Sequence, residues 1–193
     1  MTGYWTAAQA DEILGIKAYK NVRLLDPRSK IDVKCGSSGG LLTDGKLISC
    51  LGPDIFKEGV PEQAEVIDGQ GLCLSPGLVD IRVQVREPGY EHKGTIESAG
   101  RAATAGGVTT MACLPNTKPI IADMSQVEFV ARRARKIGLS KIYPYAALTQ
   151  NLKGQELTEI GILAEAGAIA FTDGDQAIAN AQVLRRALSY ART

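Results

Sequence analysis

Two short polar segments that follow predicted β-strands carry the residues best suited to binding or catalysis. They are Arg86-Glu87-Pro88-Gly89 and Leu114-Pro115-Asn116-Thr117, and a third candidate, Asp173, follows another apolar run. Parallel α/β folds place their chemistry in loops at the carboxyl ends of strands. We therefore expect these three segments to lie at the same edge of one sheet.

The strand before the first polar segment carries an unusual pair of side chains. Arg82 and Gln84 are two residues apart, so their side chains point to the same side of the strand. Arginine is permanently cationic and has no lone pair to offer a metal, and the glutamine amide oxygen is a weak ligand. The only histidine in the sequence, His92, lies in a loop where we expect it to be exposed. These residues predict no imidazole-based zinc site on this strand.

These segments belong to a regular alternation of strands and helices that begins near Ser75-Pro76-Gly77. Four strand-then-helix units in a row imply a parallel sheet with right-handed crossovers. The predicted strands are Val79–Val85, Val108–Leu114, Lys141–Leu148 and Ala168–Thr172, and the predicted helices are Thr95–Ala105, a helix capped by Ser125 and Glu128 that ends at Gly138, Glu156–Ala166 and Ala177–Ala191.

The number of units sets the fold class. A complete eight-unit barrel needs about 250 residues, and the segment 76–193 is close to half of that length. We predict an α/β protein in which residues 76–193 form the first four βα units of a TIM-type (β/α)8 barrel. An open half-barrel leaves bare edge strands, so we expect the chain to be truncated or to complete itself with another chain.

The residues before the barrel segment show short apolar or alternating runs separated by turn residues, a pattern typical of small β-sheets. We predict that residues 1–75 form a small N-terminal domain that is part of a composite β-sandwich. The predicted strands are Ala18–Leu25, two strands within Gly39–Ser49 joined by the turn Thr43-Asp44-Gly45, Ala64–Asp68 and Leu72–Leu74.

Charge and cysteine usage limit the classes of partner. The chain has 22 Lys+Arg and 21 Asp+Glu, so it lacks the general positive field that grips nucleic acid or anionic lipid. The basic run Arg132-Arg133-Arg135-Lys136 is expected to form a solvated helix face. The segment Met1–Tyr19 lacks the layout of a signal peptide, and the four cysteines occur singly, so we expect a cytoplasmic protein with reduced thiols.

Several segments together resemble the type I dihydroorotases of the amidohydrolase superfamily. They are Pro76-Gly77-Leu78-Val79-Asp80, the Arg-Glu-Pro-Gly and Leu-Pro-Asn-Thr segments, Gly100–Thr110 and Ala168–Gly174. The resemblance implies reversible hydrolysis of the ring amide of dihydroorotate in pyrimidine synthesis, with one or two zinc ions that activate water and polarise the carbonyl. It also implies that Arg86 and Asn116 bind the substrate carboxylate and that Asp173 bridges the metals.

One departure from the family pattern changes the expected function. The resemblance implies His-x-His on the first barrel strand, where this chain has Arg82-Val83-Gln84. We therefore expect no zinc or other cofactor in this chain, and an ion pair between Arg82 and Asp173 in the place of the metal. Two alternatives remain open: Asp173 as the N-cap of the fourth helix, and Arg86 and Asn116 as ordinary hydrogen-bonding residues of the barrel mouth.

Three functions follow from the resemblance and this departure. The first is a catalytically impaired chain that serves as a structural partner of aspartate carbamoyltransferase, as inactive family members do in some bacteria, or that associates with itself. The second is an active metal-dependent cyclic amidohydrolase that converts dihydroorotate to carbamoyl aspartate, with a metal held by Asp173 and by further ligands from an absent C-terminal half. The third is a metal-free sensor that binds a small carboxylate through Arg86 and Asn116.

Overall fold

The computed structural model describes residues 15–192, which divide after Pro76 into two compact units. Residues 1–14 belong to the segment that we interpret as lacking a signal peptide, and they lie outside the described residues. No helix among the described residues is long and apolar enough to cross a membrane. All four cysteines are free thiols, two buried and two exposed.

The first unit contains two small β-sheets, with strand orders β5-β4-β1-β6 and β3-β2-β7. The single strand predicted over Ala18–Leu25 is in fact two strands that belong to different sheets. They are separated at Asn21, whose φ of 51° lies in the left-handed region that asparagine adopts more readily than most residues. The strands are β1 (Ile16–Lys20), β2 (Arg23–Asp26), β3 (Ile31–Lys34), β4 (Gly40–Asp44), β5 (Leu47–Gly52), β6 (Glu65–Asp68) and β7 (Cys73–Leu74).

The second unit is built on a parallel three-stranded sheet with the order β10-β9-β8, and its helices alternate with the strands along the chain. This confirms the predicted fold class, an α/β protein with a partial barrel after a small β region. The strands are β8 (Leu78–Val83), β9 (Val108–Cys113) and β10 (Lys141–Pro144), and the helices are α1 (Ile96–Ala105), α2 (Met124–Ile137), α3 (Ile160–Glu165) and α4 (Ala181–Tyr190).

The fourth predicted strand lies beside β10, although its ladder is too short to count as a strand. Ala146 and Phe171 form an isolated parallel bridge. The amide of Ile169 donates to the carbonyl of Pro144 (3.1 Å) and that of Thr172 donates to Ala146 (3.0 Å). The fourth unit therefore follows β10 in the order that the sequence predicts.

The third helix is shorter than predicted, because the residues before it form a closed loop. It begins at Ile160, whereas the sequence indicates Glu156. Thr149 pairs with Leu157 as an antiparallel bridge, and the buried hydroxyl of Thr158 donates to the carbonyl of Ala147 (2.6 Å). The amide of Gln150 donates to the carbonyl of Glu156 (2.7 Å), and the amide of Thr158 donates to the carbonyl of Leu148 (3.1 Å). The loop therefore uses backbone groups that a longer helix would need.

The core of the second unit lies between the sheet and its helices. Ile96 of α1 and Val127 and Val130 of α2 are fully buried, and they pack with Met111 and Cys113 of β9. Burying one such aliphatic side chain stabilises the fold by about 1.5–3 kcal/mol. The buried face of α2 therefore attaches that helix to the strands that carry the candidate site.

Helix α2 is capped by Asp123, and the prediction of Ser125 as the cap is wrong. The Asp123 carboxylate accepts from the amide of Gln126 (3.1 Å), and the Ser125 hydroxyl donates to the same carboxylate (2.7 Å). Burial alone would raise the pKa of Asp123, but these hydrogen bonds outweigh burial and leave the pKa lowered. The helix ends at Gly138, whose φ of 67° favours glycine.

We expect Asp123→Ala to lower the free energy of unfolding by about 1 kcal/mol, as loss of an N-cap does. Because the folded pKa of Asp123 is lowered, its contribution is full above the unfolded pKa of about 4 and is lost as the pH falls through the folded value. Urea denaturation at pH 7 and pH 3 measures both effects. Ser125→Ala is the matched control, and an equal loss in that variant would contradict the assignment of the cap.

Candidate functional site

The candidate site lies where β8, β9 and the chain after β10 reach their carboxyl ends. At the end of β8, one terminal nitrogen of Arg82 lies 2.6 Å from a carboxylate oxygen of Asp175. The side-chain amide of Gln84 donates to the other oxygen of Asp175 at 3.3 Å. The two side chains that stand at the expected histidine positions thus share one carboxylate, and the ion pair is about half exposed.

The predicted partner of Arg82 was Asp173, and that prediction is wrong. Asp173 is only 3% exposed, and its carboxylate accepts from the amides of Leu148 (3.0 Å) and Thr149 (2.8 Å) and from the Thr149 hydroxyl. A buried carboxylate is costly unless it is hydrogen-bonded, and the loop after β10 supplies these donors. The chain turns at Gly174, with a φ of 67°, so it is Asp175 that reaches Arg82.

The alternative role of Asp173 as a helix cap is also wrong. The N-cap of α4 is Asn180, whose side chain accepts from the amides of Gln182 and Val183. Asp173 instead ties the segment after the fourth predicted strand to the loop after β10. Its assignment as a metal-bridging residue stays a prediction, although both of its oxygens are already occupied by protein donors.

Arg86 and Asn116 follow neighbouring strands, and both are partly buried. Leu114 donates its amide to the carbonyl of Val83 on β8 (2.8 Å), and the amide of Lys118 donates to the carbonyl of Pro88 (3.0 Å), which joins the two loops. Within the described part of the chain, neither the Arg86 guanidinium nor the Asn116 amide makes a hydrogen bond or ion pair. The groups that the resemblance assigns to carboxylate binding are therefore present at the strand ends with their donors free.

A residue that the sequence analysis did not single out, Glu87, holds this region together. Its carboxylate is buried at 6% exposure. It accepts from the amide of Ile96 at the start of α1 (2.8 Å) and from Nε of Arg133 on α2 (3.1 Å). Arg133 belongs to the basic run that was expected to be solvated, yet it pairs with a buried carboxylate. The sequence signal that could have identified Glu87 is its position between Arg86 and Pro88.

A second residue missed from the sequence is Tyr145, which follows β10. Its hydroxyl donates to the carbonyl of Ile81 on β8, at 2.9 Å. The register between β8 and β9 shifts between Asp80 and Val83, so this carbonyl lies in an irregular part of the ladder. Asp80 accepts from the amide of Arg82 (3.0 Å) in the same region. Hydrogen bonds of the Asp80 and Tyr145 side chains thus take the place of regular hydrogen bonds between β8 and β9 near Arg82.

The donor set of this site does not fit zinc. Among residues 15–192 there is no group of three or more His, Cys, Asp or Glu side chains that could hold a metal ion. Cys113 ends β9, but burial raises the pKa of its thiol to about 12, which disfavours the thiolate that zinc binds. His92 is exposed in the loop before α1.

The two neighbouring aspartates give a direct test of this geometry. We expect Asp173→Ala to lower the free energy of unfolding by about 3 kcal/mol or more, because it leaves buried donors of Leu148 and Thr149 unpaired. Asp175→Ala removes a half-exposed ion pair and should cost about 0–1 kcal/mol. Urea denaturation followed by circular dichroism measures both, and equal losses would contradict the distinction between the two residues.

Comparison with known proteins identifies the family of this chain. Residues 71–192 match the family model described as Dihydro-orotase-like. The chain is 42% identical over 173 residues to a dihydroorotase of Pelobacter propionicus, covering 90% of this chain and 39% of that protein. It is 40% identical over 174 residues to a dihydroorotase-like protein of Pseudomonas aeruginosa, covering 90% of this chain and 40% of that protein.

The solved structures similar to this chain share its fold. An L-hydantoinase from Arthrobacter aurescens aligns with a TM-score of 0.63 at 23% identity, over 80% of this chain and 32% of that one. A D-hydantoinase aligns with a TM-score of 0.61 at 19% identity, over 91% and 37%. The chain spans about two fifths of the length of the curated relatives it matches. With a family model matched over more than half of its residues, this chain belongs to the dihydroorotase-like family.

Proposed function

We propose that this chain is a catalytically impaired member of the dihydroorotase-like family that works in the cytoplasm, without zinc, as a structural partner of aspartate carbamoyltransferase. The observation that carries the proposal is the contact of Arg82 and Gln84 with the single carboxylate of Asp175. This contact occupies the place where the resemblance implies metal-binding histidines.

Charge explains why this arrangement opposes metal binding. The Arg82 guanidinium is a positively charged group that offers no lone pair to a metal. A divalent cation at the same place would be repelled by the guanidinium and would have to compete with it for Asp175, 2.6 Å away. The carboxylate of Asp173 is already held by the amides of Leu148 and Thr149. The charge of Asp175 is thus balanced by the Arg82 guanidinium.

A second candidate function is supported by Arg86 and Asn116. Their side-chain donors have no partner within the described residues, and a guanidinium fork with an added amide suits a carboxylate. These residues favour binding of a small carboxylate, either in a metal-free sensor or in an active cyclic amidohydrolase that converts dihydroorotate to carbamoyl aspartate. The amidohydrolase requires metal ligands from outside this chain.

Turnover and metal content test the loss of catalysis. We expect the full-length gene product to show no zinc-dependent hydrolysis of dihydroorotate under conditions in which an active family member turns over. We expect the double variant Arg82→His/Gln84→His to bind zinc at least about tenfold more tightly than the wild type, because two imidazoles replace a cation and an amide. Mass spectrometry and a zinc competition dye measure the metal.

Arg101→His is the matched control for the double variant, since Arg101 is also an arginine paired with a carboxylate but lies on an exposed helix face. It should leave zinc affinity unchanged. Robust zinc-dependent turnover by the wild-type protein would overturn the proposal and establish the amidohydrolase. A rise in melting temperature with dihydroorotate, without turnover, would support the sensor in place of the structural partner.

Co-purification tests the proposed partner. We expect the full-length gene product to form a complex with the aspartate carbamoyltransferase of the same organism, and we expect that enzyme to lose assembly or activity when this protein is removed. Asp175→Ala should leave the complex intact, because it alters only the barrel mouth. A protein that stays monomeric beside the carbamoyltransferase would contradict the partnership, and concentration-dependent dimers would favour self-association.

A further inference from the structure

A groove of about 710 Å³ lies in the second unit, away from Arg82 and Asp175. It is bounded by the end of α2, by β10 and by the residues after α3. Its volume falls in the range of about 300–1,000 Å³ typical of ligand pockets. The lining is largely small or apolar and includes Ala131, Ala134, Ile142, Pro144 and Ala166.

Two large apolar side chains are exposed at this groove. Leu139 is 40% exposed and Tyr143 is 41% exposed, and both line it. Leu139 lies in the turn after α2, and Tyr143 lies on β10. Contiguous exposed apolar surface rimmed by polar groups is typical of a binding surface. The groove can therefore bury an apolar side chain of a partner.

The charged residues of the groove are all of one sign. Arg135 and Lys141 line it, and the lining includes no carboxylate. Within the described residues neither of these cations forms an ion pair, whereas Arg132 on the same helix pairs with Glu128 at 3.3 Å. Unneutralised cations beside an apolar surface favour an acidic partner by electrostatic complementarity.

The backbone of β10 offers a third feature. Lys141, Ile142 and Tyr143 pair with β9 on one side. On the other side, the first hydrogen bond to the chain that follows is the one from Ile169 to Pro144, at 3.1 Å. Among the described residues, the first half of β10 therefore has an open edge at the groove. Extended segments bind to such edges by adding a strand.

We propose that this groove binds an extended acidic segment of a partner protein. The segment lies along the open edge of Lys141–Tyr143, places an apolar side chain against Leu139 and Tyr143, and directs carboxylates to Arg135 and Lys141. This proposal rests on the proposed function in one respect, namely that the chain works by binding another protein. It adds the chemistry of the segment that is bound.

A synthetic peptide tests the groove directly. The probe is a fluorescently labelled seven-residue peptide, Asp-Asp-Val-Leu-Val-Asp-Asp, titrated into the full-length protein and followed by anisotropy. We expect saturable binding that weakens as salt is raised, because exposed charges are screened. We expect Arg135→Glu/Lys141→Glu to weaken binding at least about tenfold, which corresponds to about 1.4 kcal/mol. A peptide with lysine in place of aspartate should bind more weakly than the acidic one.

Matched variants separate a lost site from a lost fold. Arg185→Glu/Arg186→Glu reverses two exposed charges on α4, outside the groove, and should leave binding unchanged. If the double glutamate variant fails to fold, Arg135→Gln and Lys141→Gln should each weaken binding with an unchanged melting temperature.

Three results would overturn the groove assignment. They are no binding of the peptide at about 1 mM, equal binding of the lysine peptide, and equal binding by the charge-reversed variant. Dimerisation that the charge-reversed variant abolishes, without peptide binding, would assign the groove to a second copy of this chain instead. If the protein shows no dihydroorotase activity and does not bind the peptide, the assignment of the groove is wrong, but the proposed loss of catalysis is still supported.

Discussion

Buried carboxylates must be supplied with hydrogen-bond donors, and this requirement organises the end of the sheet where the candidate site lies. Glu87 takes its donors from the start of α1 and from Arg133 on α2. Asp173 takes its donors from the loop after β10. Each carboxylate thus joins elements that are distant in sequence. The segment with Arg86 and the loop with Asp175 are therefore held in place by the contacts of the neighbouring Glu87 and Asp173.

The contact of Arg82 with Asp175 distinguishes this site from the one that the resemblance implies. The chain belongs to the dihydroorotase-like family, yet where the resemblance implies metal-binding histidines, a guanidinium lies 2.6 Å from a carboxylate oxygen. Because the guanidinium is covalently attached, it cannot be exchanged with solvent as a metal ion can. Among residues 15–192, no group of three or more His, Cys, Asp or Glu side chains could hold a metal ion.

The contact of Arg82 with Asp175 and the groove at Arg135 and Lys141 are separate features of the second unit. The lining of the groove includes neither Arg82 nor Asp175. The helix and strand that border the groove, α2 and β10, are held by the packed core of that unit. A substitution at one of the two places therefore leaves the residues of the other unchanged.

The sequence by itself determined the fold class, the order of strands and helices and the set of polar segments, since strand and helix periodicity and turn residues are local signals. It also predicted that Arg82 and Gln84 point to the same side of the chain, and both side chains contact Asp175. It did not determine the start of α3, because the bonds of Thr149 and Thr158 that displace the helix connect residues through a closed loop.

Only the tertiary structure decided which aspartate meets Arg82. Asp173 and Asp175 are two residues apart, and a local pattern cannot distinguish them once the chain turns at Gly174. The choice depends on which carboxylate is buried against the donors of Leu148 and Thr149. The contact of Arg133 with Glu87 could not be read from a local pattern either, because Glu87 lies in a different segment of the chain. Burial and long-range pairing exist only when the chain is folded, and for that reason these contacts could not be predicted from the sequence.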